Sequence, residues 1–460
     1  MHDHQPRTGG NALSTTAHDG ADDVYDLLGI GFGPSNLALA IAVEEHNRAA
    51  PATAALRPLF LEKQHRFGWH RGMLIDDATM QVSFLKDLVT MRNPTSDFSF
   101  LCYLRERGRL VDFINHKTMF PLRIEFHDYF EWAAARVAHL VAYDSEVVSV
   151  APVEVDGAVR WFDVICREAG EADRLVVRRA RNICLATGLE PHLPPGATLS
   201  DRIWHNVDLV PGVERIAGAP LRRAIVVGAG QSAAEAVDYL HRRFPTAEVC
   251  AVFARYGYTP ADDSPFANGV FDPQAVDLYY HAPREVKRRL FDYHRNTNYS
   301  VVDGDLIESL YRKQYQERVR GVQRLRILNA SQIAQVRSRP DAVEVSVTHL
   351  PTGETTTYAA DLLVYATGYR PVDAGRLLGD AFGLCARDDE GELRVGRDYR
   401  VETAGHVDAG IYLQGGTEHA HGITSTLLSN TAVRVGEILD SIRAHRRAPA
   451  GYARHAEAVR

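Results

Sequence analysis

The apolar positions of the chain fall into short runs closed by glycine and into longer segments with helical spacing. Residues 26–39, Asp-Leu-Leu-Gly-Ile-Gly-Phe-Gly-Pro-Ser-Asn-Leu-Ala-Leu, pass from a strand pattern through a glycine corner into a helical pattern rich in Ala and Leu. A strand, a tight corner and a helix in immediate succession open a dinucleotide-binding unit. The order returns at residues 224–235, Ala-Ile-Val-Val-Gly-Ala-Gly-Gln-Ser-Ala-Ala-Glu. Two further buried-strand patterns, 182–188 and 361–369, each run into an Ala-Thr-Gly corner. Period-two alternation at 146–150, 161–166 and 174–177 predicts an antiparallel meander, and helical spacing predicts helices over 98–107, over 124–140 and up to about residue 446.

Each corner has its own chemistry. At the first, Gly31 allows the tight turn, Gly33 lets a pyrophosphate approach the backbone, and Pro34 suits the first helical turn, with Ser35 and Asn36 following. The helix N-terminus then offers free amides to phosphates. Asn36 stands where the third glycine of the usual fingerprint would be. Glu62 ends the apolar run 58–62, where a second strand delivers an acid to a ribose hydroxyl, and the Ala- and Pro-rich stretch 49–55 absorbs a spacing longer than the usual ~20 residues. At the second corner stand Gly228, Gly230, Gln231 and Ser232, with Ala233 as the third small residue. The strand after it, 247–254, ends in Arg255 instead of an acid. A guanidinium holds a 2′-phosphate that a carboxylate would repel, so the first site suits a ribose with a free hydroxyl and the second suits NADPH. A solvated charge at a strand end is the other reading of Arg255.

Length changes the picture by allowing two or three domains of ~150 residues. A net charge of −7 over 460 residues, without a basic surplus, argues against nucleic acid as a partner. No apolar run reaches the ~18 residues of a membrane span, and no signal sequence opens the chain, so a cytoplasmic protein is expected. Five cysteines never form a CxxC pair, and twenty histidines show no metal spacing; reduced thiols and no metal are expected. The fold class expected is α/β: two Rossmann-like dinucleotide-binding domains, for FAD and NADPH, and a smaller substrate-binding insertion. The division reads as 1–23 disordered, 24–215 and 371–446 binding FAD, 216–255 and 331–370 binding NADPH, 256–330 the insertion, and 447–460 a disordered tail.

Two nucleotide units, each followed by an Ala-Thr-Gly corner, describe a flavoprotein reduced by a nicotinamide cofactor. From about residue 24 to 442 the chain resembles the microbial N-hydroxylating monooxygenases, flavin enzymes that hydroxylate the side-chain amine of ornithine or lysine for siderophore synthesis. The resemblance is carried by the first fingerprint, by residues 80–88 (Met-Gln-Val-Ser-Phe-Leu-Lys-Asp-Leu), by Gly-Ala-Gly-Gln-Ser at the second corner, by Asn-Thr-Asn-Tyr at 296–299 and by 361–369, where Tyr365 replaces the usual Leu or Phe. It implies that Lys86 binds the substrate carboxylate, Asn268 its α-substituents, and Asn298 both the nicotinamide half of NADP and the substrate at the reacting centre. It further implies FAD contacts from Lys63, Trp69, His70, Gln81 and Val147. The resemblance implies, too, that Thr426, Leu427 and Leu428 close over the flavin, that Ser429 faces substrate, and that Tyr299 and Ser300 touch NADPH. A zwitterionic amino acid needs a fixed cation for its carboxylate and neutral partners for its ammonium, which Lys86 and two asparagines supply.

The implied chemistry is reduction of FAD by NADPH, uptake of O2 as a flavin C4a-hydroperoxide and transfer of oxygen to the amine. The stretch 262–271 resembles the ornithine branch, so L-ornithine N5-hydroxylation is expected, with L-lysine or a diamine as the alternative substrate. The resemblance also implies a homo-oligomer, a tetramer. Rival readings are a Baeyer–Villiger or sulfur-oxidising flavin monooxygenase, a disulfide or ferredoxin reductase, and a nucleotide-binding sensor.

Overall fold

In the computed structural model, which describes residues 24–169 and 174–447, the first apolar run becomes the buried strand Leu27–Ile30. It is the middle of a five-stranded sheet ordered Gly410–Leu413, Asn182–Leu185, Leu27–Ile30, Pro58–Leu61, Val141–Ala142, parallel throughout. A parallel sheet must be covered on both faces, and alternate side chains of each strand divide between two cores. Leu27, Phe60, Cys184 and Tyr412 pack with the helices Pro34–Ala49, Arg123–Arg136 and Thr431–Arg447. Leu28, Leu61, Ile183 and Ile411 pack with the meander Ser145–Val155, Ala158–Glu168, Leu175–Ala180.

The second corner repeats the design. A second five-stranded parallel sheet runs Ile203–His205, Leu362–Tyr365, Arg223–Val227, Glu248–Val252, Leu325–Leu328. The helix Gln231–Arg243 covers one face, and a three-stranded meander, Ser331–Ser338, Val343–His349, Thr355–Ala360, supplies side chains to the other. Behind the two Ala-Thr-Gly corners, Leu189–Pro191 pairs antiparallel with Tyr369–Pro371.

Two segments depart from the expected division. Leu325–Leu328 lies within the expected insertion 256–330, yet it is the edge strand of the second sheet, reached through the helix Gly304–Val319. Joining two parallel neighbours requires such a crossover, so the unit has no use for a break there. Ile203–His205, expected in the first unit, edges the second sheet. What stands apart from both sheets is the polar stretch 256–303, with the turn Ala267–Phe271 and the helices Pro273–His281 and Arg284–His294. Of the ends expected to be disordered, 1–23 and 447–460, residues 1–23 and 448–460 lie outside the described residues, and residue 447 instead closes the last helix. Among the described residues no helix is long and apolar enough to cross a membrane, no group of side chains could hold a metal ion, and all five cysteines are free.

Candidate functional site

At the first corner Gly31 has φ +83°, and a Cβ there would lie 2.6 Å from the Ala186 carbonyl, so only glycine fits. Gly33, at the N-cap of the helix opened by Pro34, has nothing within 4 Å of where a Cβ would be, which leaves open space beside the first helical turn. Asn36 is fully buried and turned inward. Its amide donates to the Gly31 carbonyl at 2.7 Å, and its oxygen accepts from Gln414 Nε2 at 3.0 Å. Asn36 therefore fastens the turn instead of presenting its side chain to a bound group.

Glu62, buried at the end of Pro58–Leu61, accepts from the Phe32 amide at 2.7 Å and the Gln64 amide at 2.9 Å, so its carboxylate is held against the corner. Lys63 is exposed beyond it. Val147 is a core side chain under the sheet; its strand starts beside Glu62, where the Ser145 amide donates to the Glu62 carbonyl. The C-terminal segment crosses the same region. Arg434 donates to the Ser425 carbonyl at 2.8 Å and Ser35 Oγ at 3.3 Å. Gln414 Oε1, Thr417 Oγ1, Ser425 Oγ and both amide atoms of Asn430 are buried without a protein partner. Each such atom costs ~1–3 kcal/mol if left unsatisfied, so this concentration suits a polar group bound there. An open glycine cradle, a helix N-terminus and a fixed acid at the second strand fit the pyrophosphate and ribose of FAD.

At the second corner Gly228 has φ +143°, and a Cβ would meet the Ala366 carbonyl at 2.2 Å. Gly230 caps the helix Gln231–Arg243, with Ser232 in its first turn. A Cβ on Gly230 would sit 3.5 Å from Ser300 Cα, so the corner faces the 298–300 loop. Arg255 is exposed at the strand end, donating to the Ser300 carbonyl at 2.7 Å. Gly230, Ser300 and Arg255 thus share one edge, a cradle and a fork that fit a pyrophosphate and a 2′-phosphate.

The remaining expected residues make contacts of their own. Trp69 packs on Phe130, and His70, in the left-handed region at φ 51°, faces Tyr369 edge-on. Lys86 Nζ lies 5.8 Å over the Phe271 ring, which brings it to the turn that carries Asn268. The Asn268 amide donates to the Asp263 carbonyl at 2.8 Å. Asn298 is half-buried at the end of the turn Arg295–Thr297. Tyr299 Oη donates to Glu418, which also accepts from Thr426 Oγ1 at 3.2 Å, so the expected nicotinamide-side and flavin-side residues meet on one carboxylate. Burial holds the Glu418 carboxyl above the usual range. Leu427 and Leu428 are half-buried, and Ser429 is buried just before the final helix.

Several residues here carried no signal in the sequence. Gln81 Nε2 donates to Asp303 Oδ2 at 2.7 Å, and Gln231 Nε2 reaches the same oxygen at 3.2 Å. Burial, opposed by the Gln81 hydrogen bond, pushes the Asp303 carboxyl up. Gln231 also donates to Glu235 at 3.0 Å, and Glu235 is gripped by both Arg123 terminal nitrogens at 2.7 and 2.9 Å. Asp303, Glu418 and Arg123 sit in no recognisable motif, and Glu235 closes the second-corner stretch without a role in its fingerprint; only the fold brings them in.

The model of the L-lysine 6-monooxygenase/L-ornithine 5-monooxygenase family matches residues 23–371. The L-ornithine N(5)-monooxygenase of Burkholderia cepacia is 42% identical over 87% of this chain and 90% of its own length. That of Pseudomonas aeruginosa is 39% identical over 92% and 94%. Among solved structures, the ornithine N-hydroxylase of Kutzneria sp. 744, described with reduced FAD, NADP+ and L-ornithine, matches with TM-score 0.88 and 45% identity, covering 92% of this chain and all of that one. With two strand-turn-helix corners and these likenesses over most of its length, the chain belongs to the L-lysine 6-monooxygenase/L-ornithine 5-monooxygenase family of N-hydroxylating flavin monooxygenases.

Proposed function

We propose that the chain hydroxylates the side-chain amine of L-ornithine at N5, using NADPH and O2, as a step toward hydroxamate siderophores. The observation that carries the choice of substrate class is the meeting of the Lys86 ammonium with the 262–271 turn. The likeness to ornithine enzymes supports ornithine within that class. Bound FAD supplies the redox chemistry, accepting hydride from NADPH and activating O2. The first corner, with Gly31, Gly33 and the amides behind Pro34, holds its pyrophosphate, and Glu62 its ribose. Gly230, Ser232 and Arg255 hold NADPH. Lys86 anchors the substrate carboxylate, and Asn268 and Ser429 take its α-substituents. With that end fixed, the side chain runs toward Asn298, whose amide orients the amine beside the nicotinamide. Positioning of this kind substitutes for a chance encounter, and closure by Thr426, Leu427 and Leu428 keeps water from the reacting atoms.

The test is hydroxylamine product formed by purified protein with NADPH and, separately, L-ornithine, L-lysine and putrescine. Product from ornithine is expected; product from lysine or putrescine alone rejects the substrate. Lys86→Ala should raise the Michaelis constant for ornithine roughly 10–100-fold, the worth of a charge-assisted hydrogen bond, while NADPH still reduces the flavin. An unchanged constant removes Lys86 from the site. The same reading includes a cytoplasmic homotetramer, supported by the resemblance and checked by light scattering at working concentration.

A further inference from the structure

Asp303 occupies the N-cap of the helix Gly304–Val319, yet its side chain makes no capping hydrogen bond. An aspartate at this position ordinarily accepts from the first helical turn. Here the carboxylate is turned away from its own helix and accepts from Gln81 at 2.7 Å and Gln231 at 3.2 Å, while its backbone amide donates to Gln231 Oε1 at 2.8 Å. Gln231 is the first residue of the NADPH-side helix, and Gln81 belongs to the flavin-side segment. The connections continue through Glu235 to Arg123, which donates to the Met73 carbonyl at 3.0 Å and the Thr79 carbonyl at 3.4 Å. The circuit therefore closes on itself, leaving segment 73–81 toward one cofactor unit at Gln81 and returning to it at Thr79.

We propose that Asp303 is a positioning residue that sets the amide orientation of Gln81 and locks the flavin-side segment in register with the N-terminus of the NADPH helix. The inference rests on the cofactor assignment above. An ionised carboxylate accepts hydrogen bonds and donates none, so both glutamines must turn their NH2 groups toward it. The Gln81 carbonyl then points away from Asp303, on a residue that remains exposed. Asparagine at 303 keeps the shape and removes that requirement: its own NH2 can face either glutamine, and Gln81 becomes free to flip. Hydride transfer is sensitive to misplacements of about 1 Å, so the loss should fall on flavin reduction.

The experiment compares Asp303→Asn with the parent protein loaded with FAD. Anaerobic bleaching of the flavin by NADPH should slow at least about tenfold, whereas FAD content and the Michaelis constant for ornithine stay within about twofold. In the cofactor-free protein, urea unfolding of Gln81→Leu, Asp303→Asn and the double variant should be non-additive, as expected for partners in direct contact. Reduction within twofold of the parent, additive unfolding, or equal losses in FAD content, ornithine constant and reduction would each overturn the proposal. Bleaching is read without amine, so a parent protein that reduces its flavin but makes no hydroxyornithine sinks the proposed function and leaves the Asp303 result standing.

Discussion

Asn36 replaces a glycine, and the replacement is structural. Its amide bridges the Gly31 carbonyl and Gln414, tying the first corner to the C-terminal segment. Restoring the usual fingerprint with Asn36→Gly should therefore destabilise the protein, by roughly 2–4 kcal/mol, because the Gly31 carbonyl loses the Asn36 amide, Gln414 loses its shortest acceptor and keeps the longer one at the Ser35 carbonyl, 3.3 Å away, and glycine cannot fill the buried site. An unchanged urea midpoint would contradict this. His421 gives the residue scale its pH dependence. It is buried, stacked on Tyr399 at 4.1 Å and within 3.3 Å of the Arg397 carbonyl, and burial lowers its pKa to about 3. The unfolded chain takes up that proton near 6.5 and the folded one only near 3. Stability tied to neutral His421 is thus complete above pH 6.5 and is lost as pH falls through that window, up to roughly 5 kcal/mol. His421→Gln should flatten the acid side of the stability profile relative to the parent; an identical slope between pH 6 and 4 (about the middle of the window) would refute it.

At the scale of elements, the proposed choice of nucleotide rests on the strand ends. Arg255 follows Glu248–Val252 and is held by the Ser300 carbonyl, so its fork is oriented before any nucleotide arrives. Arg255→Ala should raise the Michaelis constant for NADPH roughly 10–100-fold and leave NADH within about threefold, and Arg255→Lys should fall between, since an ammonium lacks the planar fork. Equal losses with both nucleotides would place Arg255 outside the 2′-phosphate site. The strands and corners were legible because strand period and turn chemistry are written within a few contiguous residues. The extent of the insertion was not. Gly304–Val319 and Leu325–Leu328 follow a long polar stretch, and their place in the second sheet is decided by pairing with Glu248–Val252 across more than fifty intervening residues.

At the scale of the whole molecule, Arg123 and Glu235 join the two nucleotide units through a buried, two-pronged ion pair. Arg123→Leu leaves the Glu235 charge buried without its partner and should cost roughly 3–5 kcal/mol, whereas Arg123→Leu with Glu235→Leu should recover most of that loss. Denaturant unfolding of the three variants checks this, and equal losses in the single and double variants would contradict it. The sequence by itself determined that there are two dinucleotide units, that the first ends its second strand on an acid and the second on an arginine, and that Gly31 and Gly228 carry the tight turns, since each of these signals is local. Tertiary structure alone decided the contacts between the units: Gln81 on Asp303, 222 residues away, Arg123 on Glu235, 112 away, and Tyr299 on Glu418, 119 away. Such pairs have no period and no fixed spacing, because what joins them is the docking of loops and helices that flank the sheets, and side chains far apart in the chain meet only once that docking exists.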